Sequence, residues 1–331
     1  MGSPLRDAVG FLSVQTTEGT AITPPAPTDA LQFKRLSYDP QFVQVDREVV
    51  LPQMDTLAPA AVMAEYWQGE IETEVKTSHA TGSAPEIGSL LECAGFEGTV
   101  AAGVSVTYDL RDEPNLVNPA TDRTCTLHKY EAPSGEGHHY EAVDVMFGSL
   151  SLRAGFDTPL SLTASWMGEY VRPADSAIPG TITYNTGSPI GSIKSTGTTF
   201  EFHSYNPIAR EFSLDINLEA QMRGSMKDTG SGGYAWPCYL SRTGPVTGSI
   251  TFELVDQAEF AFWSALEGST TAAGTIVFQT PNGNELTINL RDLVWRAGAS
   301  IQVAPGQPNM VQAPFSCHLD GANGAVQFVF T

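Results

Sequence analysis

Two stretches of the chain alternate apolar and polar residues with a period of two. The first is Trp67-Gln68-Gly69-Glu70-Ile71-Glu72-Thr73-Glu74-Val75-Lys76, the second Phe212-Ser213-Leu214-Asp215-Ile216-Asn217-Leu218-Glu219. Side chains alternate sides along a strand, so Trp67, Ile71 and Val75 share one face while Glu70, Glu72 and Glu74 share the other. Phe212, Leu214, Ile216 and Leu218 repeat the arrangement, with Asp215 and Glu219 opposite. Each stretch predicts a strand with one face in a core and a polar, mostly acidic face turned away from it.

The rest of the chain reads mainly as β. Strands are expected at 47–51, 66–77, 104–110, 124–130, 139–147, 149–153 and 160–166, then at 199–203, 211–221, 249–254, 274–279, 285–292, 300–303, 314–318 and 325–330. Pro281-Asn282-Gly283-Asn284 predicts a hairpin turn. Two short helices are signalled. Ser83-Ala84-Pro85-Glu86 supplies a cap and an early proline before Ile87, Leu90 and Leu91, and Gly95 suits the stop. Asp256 with Glu259 forms a capping arrangement ahead of Phe260 to Leu266, and Gly268 ends it.

Residues 1–40 predict an extended N-terminal arm, because Thr23-Pro24-Pro25-Ala26-Pro27 opposes helix. Phe11, Leu12, Val14, Leu31 and Phe33 are its apolar anchors, and Phe11 and Leu12 are candidates for contact with a neighbouring subunit. The Gly-rich stretch 226–244 reads as an exposed loop or the turn region of a long hairpin. Its Tyr234 and Trp236 are further inter-subunit candidates, since aromatic residues on such a loop leave apolar surface uncovered. Pro173, Pro179 and Pro189 mark a compositional break. The division expected is an arm at 1–40, one β module at 41–175, a connector at 176–198 and a second β module at 199–331. Strand, short helix, then several strands recurs in both halves, which favours duplication of one module. Two unrelated β domains also fit.

Composition narrows the function. The 331 residues are 41% hydrophobic, ample for a core, and carry 37 acids against 17 Lys and Arg, a formal charge of −20. This excess opposes a tight grip on nucleic acid, which needs cationic groups against phosphate. It is uneven: residues 1–180 hold 25 acids and 10 basic groups, residues 181–331 hold 12 and 7. Cys93, Cys125, Cys238 and Cys317 form no CxxC pair and read as single buried thiols. The first ten residues lack a hydrophobic signal core and no run reaches membrane-spanning length, so synthesis as a soluble protein in the cytoplasm is expected.

Catalytic patterns do not assemble. His138-His139 with Glu136 and Glu141 lacks the spacing of a zinc motif, and adjacent histidines on a strand point to opposite sides. His79, His128, His203 and His318 supply no paired ligand motif. Nucleophile elbow, phosphate loop and dinucleotide fingerprint are all absent from the sequence. The reading therefore assigns no catalytic residue, no cofactor and no metal, and describes a non-enzyme. A secreted carbohydrate-binding β-sandwich using Tyr234 and Trp236 is one alternative.

The chain resembles the tail tube proteins of long-tailed bacteriophages. The resemblance rests on Glu18-Gly19-Thr20 in the arm, the 67–75 strand, Gly82-Ser83-Ala84-Pro85 through Leu90-Leu91-Glu92-Cys93-Ala94-Gly95, Thr247-Gly248-Ser249-Ile250-Thr251-Phe252, and Ala313-Pro314-Phe315-Ser316-Cys317-His318-Leu319-Asp320. It implies duplicated β-sandwich modules with short flanking helices, their sheets closing into a ring on oligomerisation. It further implies self-association into trimeric, pseudo-hexameric or hexameric stacked rings in the virion tail. The implied partners are tail terminator, distal tail or baseplate proteins and the tape measure protein, with DNA passing through unbound. Glu70, Glu72, Glu74, Asp215 and Glu219 would then face the channel. Another virion ring component, a terminator or baseplate protein, is the nearest alternative.

Overall fold

The computed structural model describes residues 8–17, 19–47, 58–77, 80–111, 123–131, 137–180, 182–184, 190, 198–224, 234–253, 261–280, 283–302, 309–319 and 324–331. Its first half contains β1 (Ala8–Val14), β2 (Ala30–Leu31), β3 (Arg35–Leu36), β4 (Asp39–Arg47), β5 (Ala58–Glu74), α1 (Gly88–Cys93), β6 (Phe96–Ala101), β7 (Ser105–Leu110), β8 (Cys125–Glu131), β9 (Gly137–Gly155), β10 (Thr158–Tyr170) and β11 (Ala174–Ser176). The second contains β12 (Thr199–Phe202), β13 (Ala209–Ile216), β14 (Leu218–Gly224), β15 (Tyr234–Arg242), β16 (Val246–Glu253), α2 (Phe262–Glu267), β17 (Ala272–Gln279), β18 (Glu285–Trp295), β19 (Ser300–Gln302), β20 (Met310–Cys317) and β21 (Val326–Phe330).

The strands form two layers. In the first the order is β4–β5–β10–β9–β13–β16–β20. Its long member is β9. One edge of β9 pairs with β10, while the other pairs with β8 near its start and β13 near its end. The second layer runs β6–β7–β21–β18–β17–β12. Strand β18 crosses between layers, since Leu293 to Trp295 pair with Phe315 to Cys317 of β20. Aromatic side chains fill the space between: Phe212 of β13 lies 6.3 Å from Phe278 of β17, and Phe202 of β12 lies 6.0 Å from Phe315 of β20. Each such ring, fully buried, contributes roughly 1.5–3 kcal/mol by leaving water. The architecture is a mainly-β sandwich.

Several expectations change at this level. The modules expected at 41–175 and 199–331 pair directly with one another. Strand β9 pairs with β13 from Glu211–Gly155 to Ile216–Leu150, and β7 pairs with β21. Nor is the described part of the 176–198 connector a loose linker. Ile190 is fully buried, with its amide on the Val75 carbonyl at 2.9 Å and its carbonyl accepting from Leu160 at 2.9 Å. Ile178 and Ile182 pack on Val9, Phe11, Ala30 and Tyr130.

The arm also departs from its reading. Strand β1 pairs with β8 along its whole length, from Ala8–Glu131 to Val14–Cys125. Phe11 is 0% exposed and Leu12 4%, both inside this chain, and Phe11 meets Tyr130 edge-on at 5.8 Å. The assignment of Phe11 and Leu12 to a neighbouring subunit is therefore corrected: Tyr130 of β8 and the connector's Ile178 and Ile182 pack around Phe11, while Leu12, on the other face of β1, enters the main core.

Local boundaries follow physical causes. The expected strands at 139–147 and 149–153 are one, β9, because Gly148 lets the backbone pass close to Ser165; a Cβ there would lie 2.9 Å from its Oγ. The expected strand at 211–221 is two, β13 and β14. At the break, Asn217 donates its side-chain amide to the Pro245 carbonyl at 2.8 Å and accepts from the Thr243 amide at 3.1 Å. Helix α1 starts at Gly88 with no side-chain cap, later than Ser83 and Pro85 implied, and stops at Gly95 with φ +84°. Helix α2 ends on Gly268, whereas Asp256 and Glu259 lie outside the described residues. Strands β17 and β18 form an antiparallel pair with Gly283 at φ +87° in their connection, whereas Pro281 and Asn282 lie outside the described residues.

Candidate functional site

Strand register builds a polar face on the first layer. Glu72 of β5 stands opposite Thr163 of β10, Thr163 opposite Ser151 of β9, Ser151 opposite Asp215 of β13, and Asp215 opposite Thr247 of β16. A parallel row runs through Glu74, Ser161, Arg153, Ser213 and Ser249. Because successive residues alternate sides, the reverse of these strands is apolar. Ile71, Ala164, Leu150 and Ile216 all lie there, none more than 1% exposed. Thr73 shares that buried side and donates its hydroxyl to the Gln32 carbonyl at 2.6 Å.

Small hydroxyls cover most of the polar face, and they bond to one another. Ser213 and Ser249 meet Oγ to Oγ at 2.8 Å, Ser149 and Ser165 at 3.1 Å. The Ser151 hydroxyl donates to Asp215 Oδ1 at 2.7 Å. Serine and threonine present neither the charge nor the reach that holds a phosphate tightly.

The face is less acidic than the two alternating stretches alone suggest. Arg153 Nη2 donates to both oxygens of Asp215, at 2.7 and 3.1 Å. Arg35 lies 3.2 Å from Glu70, and Lys34 3.3 Å from Glu74. Glu72 and Glu219 have no ion-pair partner among the described residues. Bases from β3, its preceding turn and β9 thus offset three of the five carboxylates. Each exposed pair contributes little to stability, about 0–1 kcal/mol, but it reshapes the local charge.

Of the sequence candidates, Glu70, Glu72, Glu74 and Asp215 share this face. Glu219 lies past the break at Asn217, yet it joins Glu70, Arg35, Ser149 and Ser165 around one cleft of about 520 Å³. Tyr234 and Trp236 fall on β15, whose backbone pairs with β14; their side chains lie outside the described residues. Sequence reading missed Thr163, Ser151, Arg35 and Arg153. The signal for the hydroxyl rows was present, since Ser161, Thr163 and Ser165 interleave with Leu160, Leu162, Ala164 and Trp166.

Buried titratable groups lie elsewhere. Asp144 is fully buried; loss of hydration raises its carboxyl pKa, while bonds from the Gly19 amide at 2.9 and 3.0 Å oppose the shift. His138 is exposed beside Asp175 at 3.3 Å, and its neighbour His139 turns inward, as expected of adjacent strand residues. Cross-strand pairing brings His128 to His139, a contact that local spacing does not reveal. Cys93, Cys125 and Cys317 are free and buried.

No individually curated protein gives a significant match to the chain. The family model described as phage tail tube protein matches residues 6–318, nearly the whole length. The chain belongs to the phage tail tube protein family, and it is a structural, non-enzymatic subunit of a phage tail tube.

Proposed function

We propose that the hydroxyl-rich face spanning β5, β10, β9, β13 and β16 lines the bore of the tube, and that genomic DNA slides along it during ejection. The observation that carries this reading is the unbroken row Glu72–Thr163–Ser151–Asp215–Thr247, backed by an apolar face across five strands. A wall of this chemistry attracts phosphate weakly, and the uncompensated Glu72 and Glu219 repel it. Glu70, Glu74 and Asp215 keep their partners Arg35, Lys34 and Arg153 and stay in the wall.

Closure follows from edges. Strand β4 ends the first layer with Phe42 at 43% and Val43 at 42% exposure, and β6 ends the second with residues 97–101 all exposed. Edges with no partner among the described residues invite pairing with another copy, and a cyclic assembly satisfies them. The repeated order supports a fused pair of modules. A strand, a six-residue helix and a hairpin occur as β5, α1, β6–β7 and again as β16, α2, β17–β18. Three chains then make a pseudo-sixfold ring, and rings stack between the terminator and the distal tail or baseplate, around the tape measure protein.

Electron microscopy of the purified protein tests this. Long hollow tubes are expected; single rings that never stack would favour a terminator or baseplate component instead.

A further inference from the structure

The geometry points to a divalent transition-metal site of the zinc type on the β8–β9 hairpin, with His128 Nδ1, His139 Nε2 and the Glu141 carboxylate as ligands. One ligand atom from each of the three residues lies within 4.8 Å of the others. Strand register explains their convergence. His128 stands directly opposite Glu141, and His139, two residues along β9, is the diagonal neighbour on the same face. None of this depends on the reading of the polar face.

The His128 tautomer favours coordination. His128 Nε2 lies 2.9 Å from the Ile22 carbonyl, which only accepts, so Nε2 carries the hydrogen and Nδ1 is bare. That bare nitrogen faces His139 Nε2 at 3.0 Å and takes its hydrogen bond. A carbonyl on the far nitrogen of a ligating histidine is the usual outer partner of a metal site, because it fixes both tautomer and ring orientation. The His139 ring is fixed too, stacked on Tyr130 at 4.2 Å and 8°. Burial disfavours the charged form of both imidazoles. Neutral imidazole is the form that ligates.

Metal binding here replaces one hydrogen. His139 loses the proton on Nε2 and takes one up on Nδ1, so its ring stays neutral and no net proton is released. Tetrahedral zinc with bonds of 2.0–2.1 Å holds two nitrogens about 3.3 Å apart, so from their 3.0 Å hydrogen bond the rings must part by about 0.3 Å and turn until both lone pairs converge on the ion, while the Glu141 carboxylate closes in. Glu141 supplies the third ligand from a half-exposed position, with one oxygen accepting from Thr23 Oγ1 at 2.8 Å. Water takes the fourth place. Since Ile22 and Thr23 hold two of the three ligands from behind, the ion also ties the N-terminal segment to the hairpin.

The test uses the full chain, stripped with chelator, dialysed and titrated with zinc chloride by calorimetry, alongside cobalt(II) absorption. About one ion per chain at micromolar affinity or tighter is expected. Glu141→Gln and His139→Gln should each weaken binding at least tenfold, and His138→Gln, on the opposite face, should leave it unchanged. Glu141 is half-exposed, so Glu141→Gln retains the fold and carries the test if His139→Gln does not. Absence of saturable binding to the unaltered chain, or unchanged affinity in Glu141→Gln, overturns the site.

Discussion

Glu72 of β5 and Asp215 of β13 stand on the same face of one layer, three strand spacings apart, with Thr163 and Ser151 between them. At 4.7–4.9 Å per strand the separation is about 14 Å. Two acids 143 positions apart in sequence are thereby fixed on one wall, one uncompensated and the other paired with Arg153. The first prediction follows from that wall. Glu72→Lys with Glu74→Lys should change stability by less than about 1 kcal/mol, since only the exposed Lys34–Glu74 pair is lost. Tubes should assemble and genome delivery should slow, because added cations hold phosphate. Ejection kinetics of phage carrying the variant measure this, and unchanged delivery with normal tubes removes these acids from the bore.

Leu214 sits on the reverse of that wall, fully buried and paired in register with Leu152 of β9. Leu214→Ala should destabilise the chain by about 2–5 kcal/mol through the cavity it leaves. Because β9 and β13 join the two halves, denaturant unfolding should remain one transition. Two separate midpoints would mean the halves fold independently.

Asp109 and Arg291 link the halves across β21. The guanidinium donates to both carboxylate oxygens at 3.1 and 3.2 Å, and Gln327 Nε2 adds a bond at 2.7 Å. Asp109→Asn removes the charge assistance from a partly buried, two-pronged pair. The expected loss is about 1.5–3 kcal/mol, at the scale of bonds to charged groups. Equilibrium unfolding of the variant checks it, and a loss under half a unit would reduce the contact to an ordinary surface pair.

Asp144 combines burial with φ +50°, a left-handed conformation that Asp and Asn tolerate and β-carbon residues otherwise avoid. Asp144→Ala should therefore cost about 2 kcal/mol or more through strain and the orphaned Gly19 amide, while Asp144→Asn should cost less. The carboxyl pKa is raised by burial, so between the folded value and the ordinary value of 3.8 the folded chain binds more protons than the unfolded one. Stability contributed by this group is absent at neutral pH and grows as pH falls through that window. Subtracting the Asp144→Asn curve from that of the unaltered chain isolates the effect; a difference that shrinks on acidification contradicts it.

Gly248 lies under the Phe315 ring, where a Cβ would fall 2.4 Å from Cζ and 2.4 Å from the Ser213 carbonyl oxygen. Gly248→Ala should destabilise by about 1–3 kcal/mol, the range for overpacking. A thermal melt shows whether it does.

Strong alternation made the centre of the fold legible. The 67–75 and 212–216 stretches each carry one buried and one polar face, as their period requires, and β17 and β18 pair antiparallel. What local pattern could not give was pairing. Arg35 and Arg153 neutralise acids on other strands, and His128 meets His139, only because of register set over long sequence distances. Strand β6 escaped notice because residues 97–101 are all exposed and show no alternation. The arm was misread for the opposite reason. Its proline run opposes helix but not strand, and Phe11 finds its cover in β8 and the connector while Leu12 enters the main core.

The most direct test is a helical cryo-EM reconstruction of assembled tubes at side-chain resolution. The account predicts β5, β10, β9, β13 and β16 as the inner wall, with the Glu72 and Asp215 carboxylates directed at the bore. A reconstruction that turns both residues to the outer surface contradicts it.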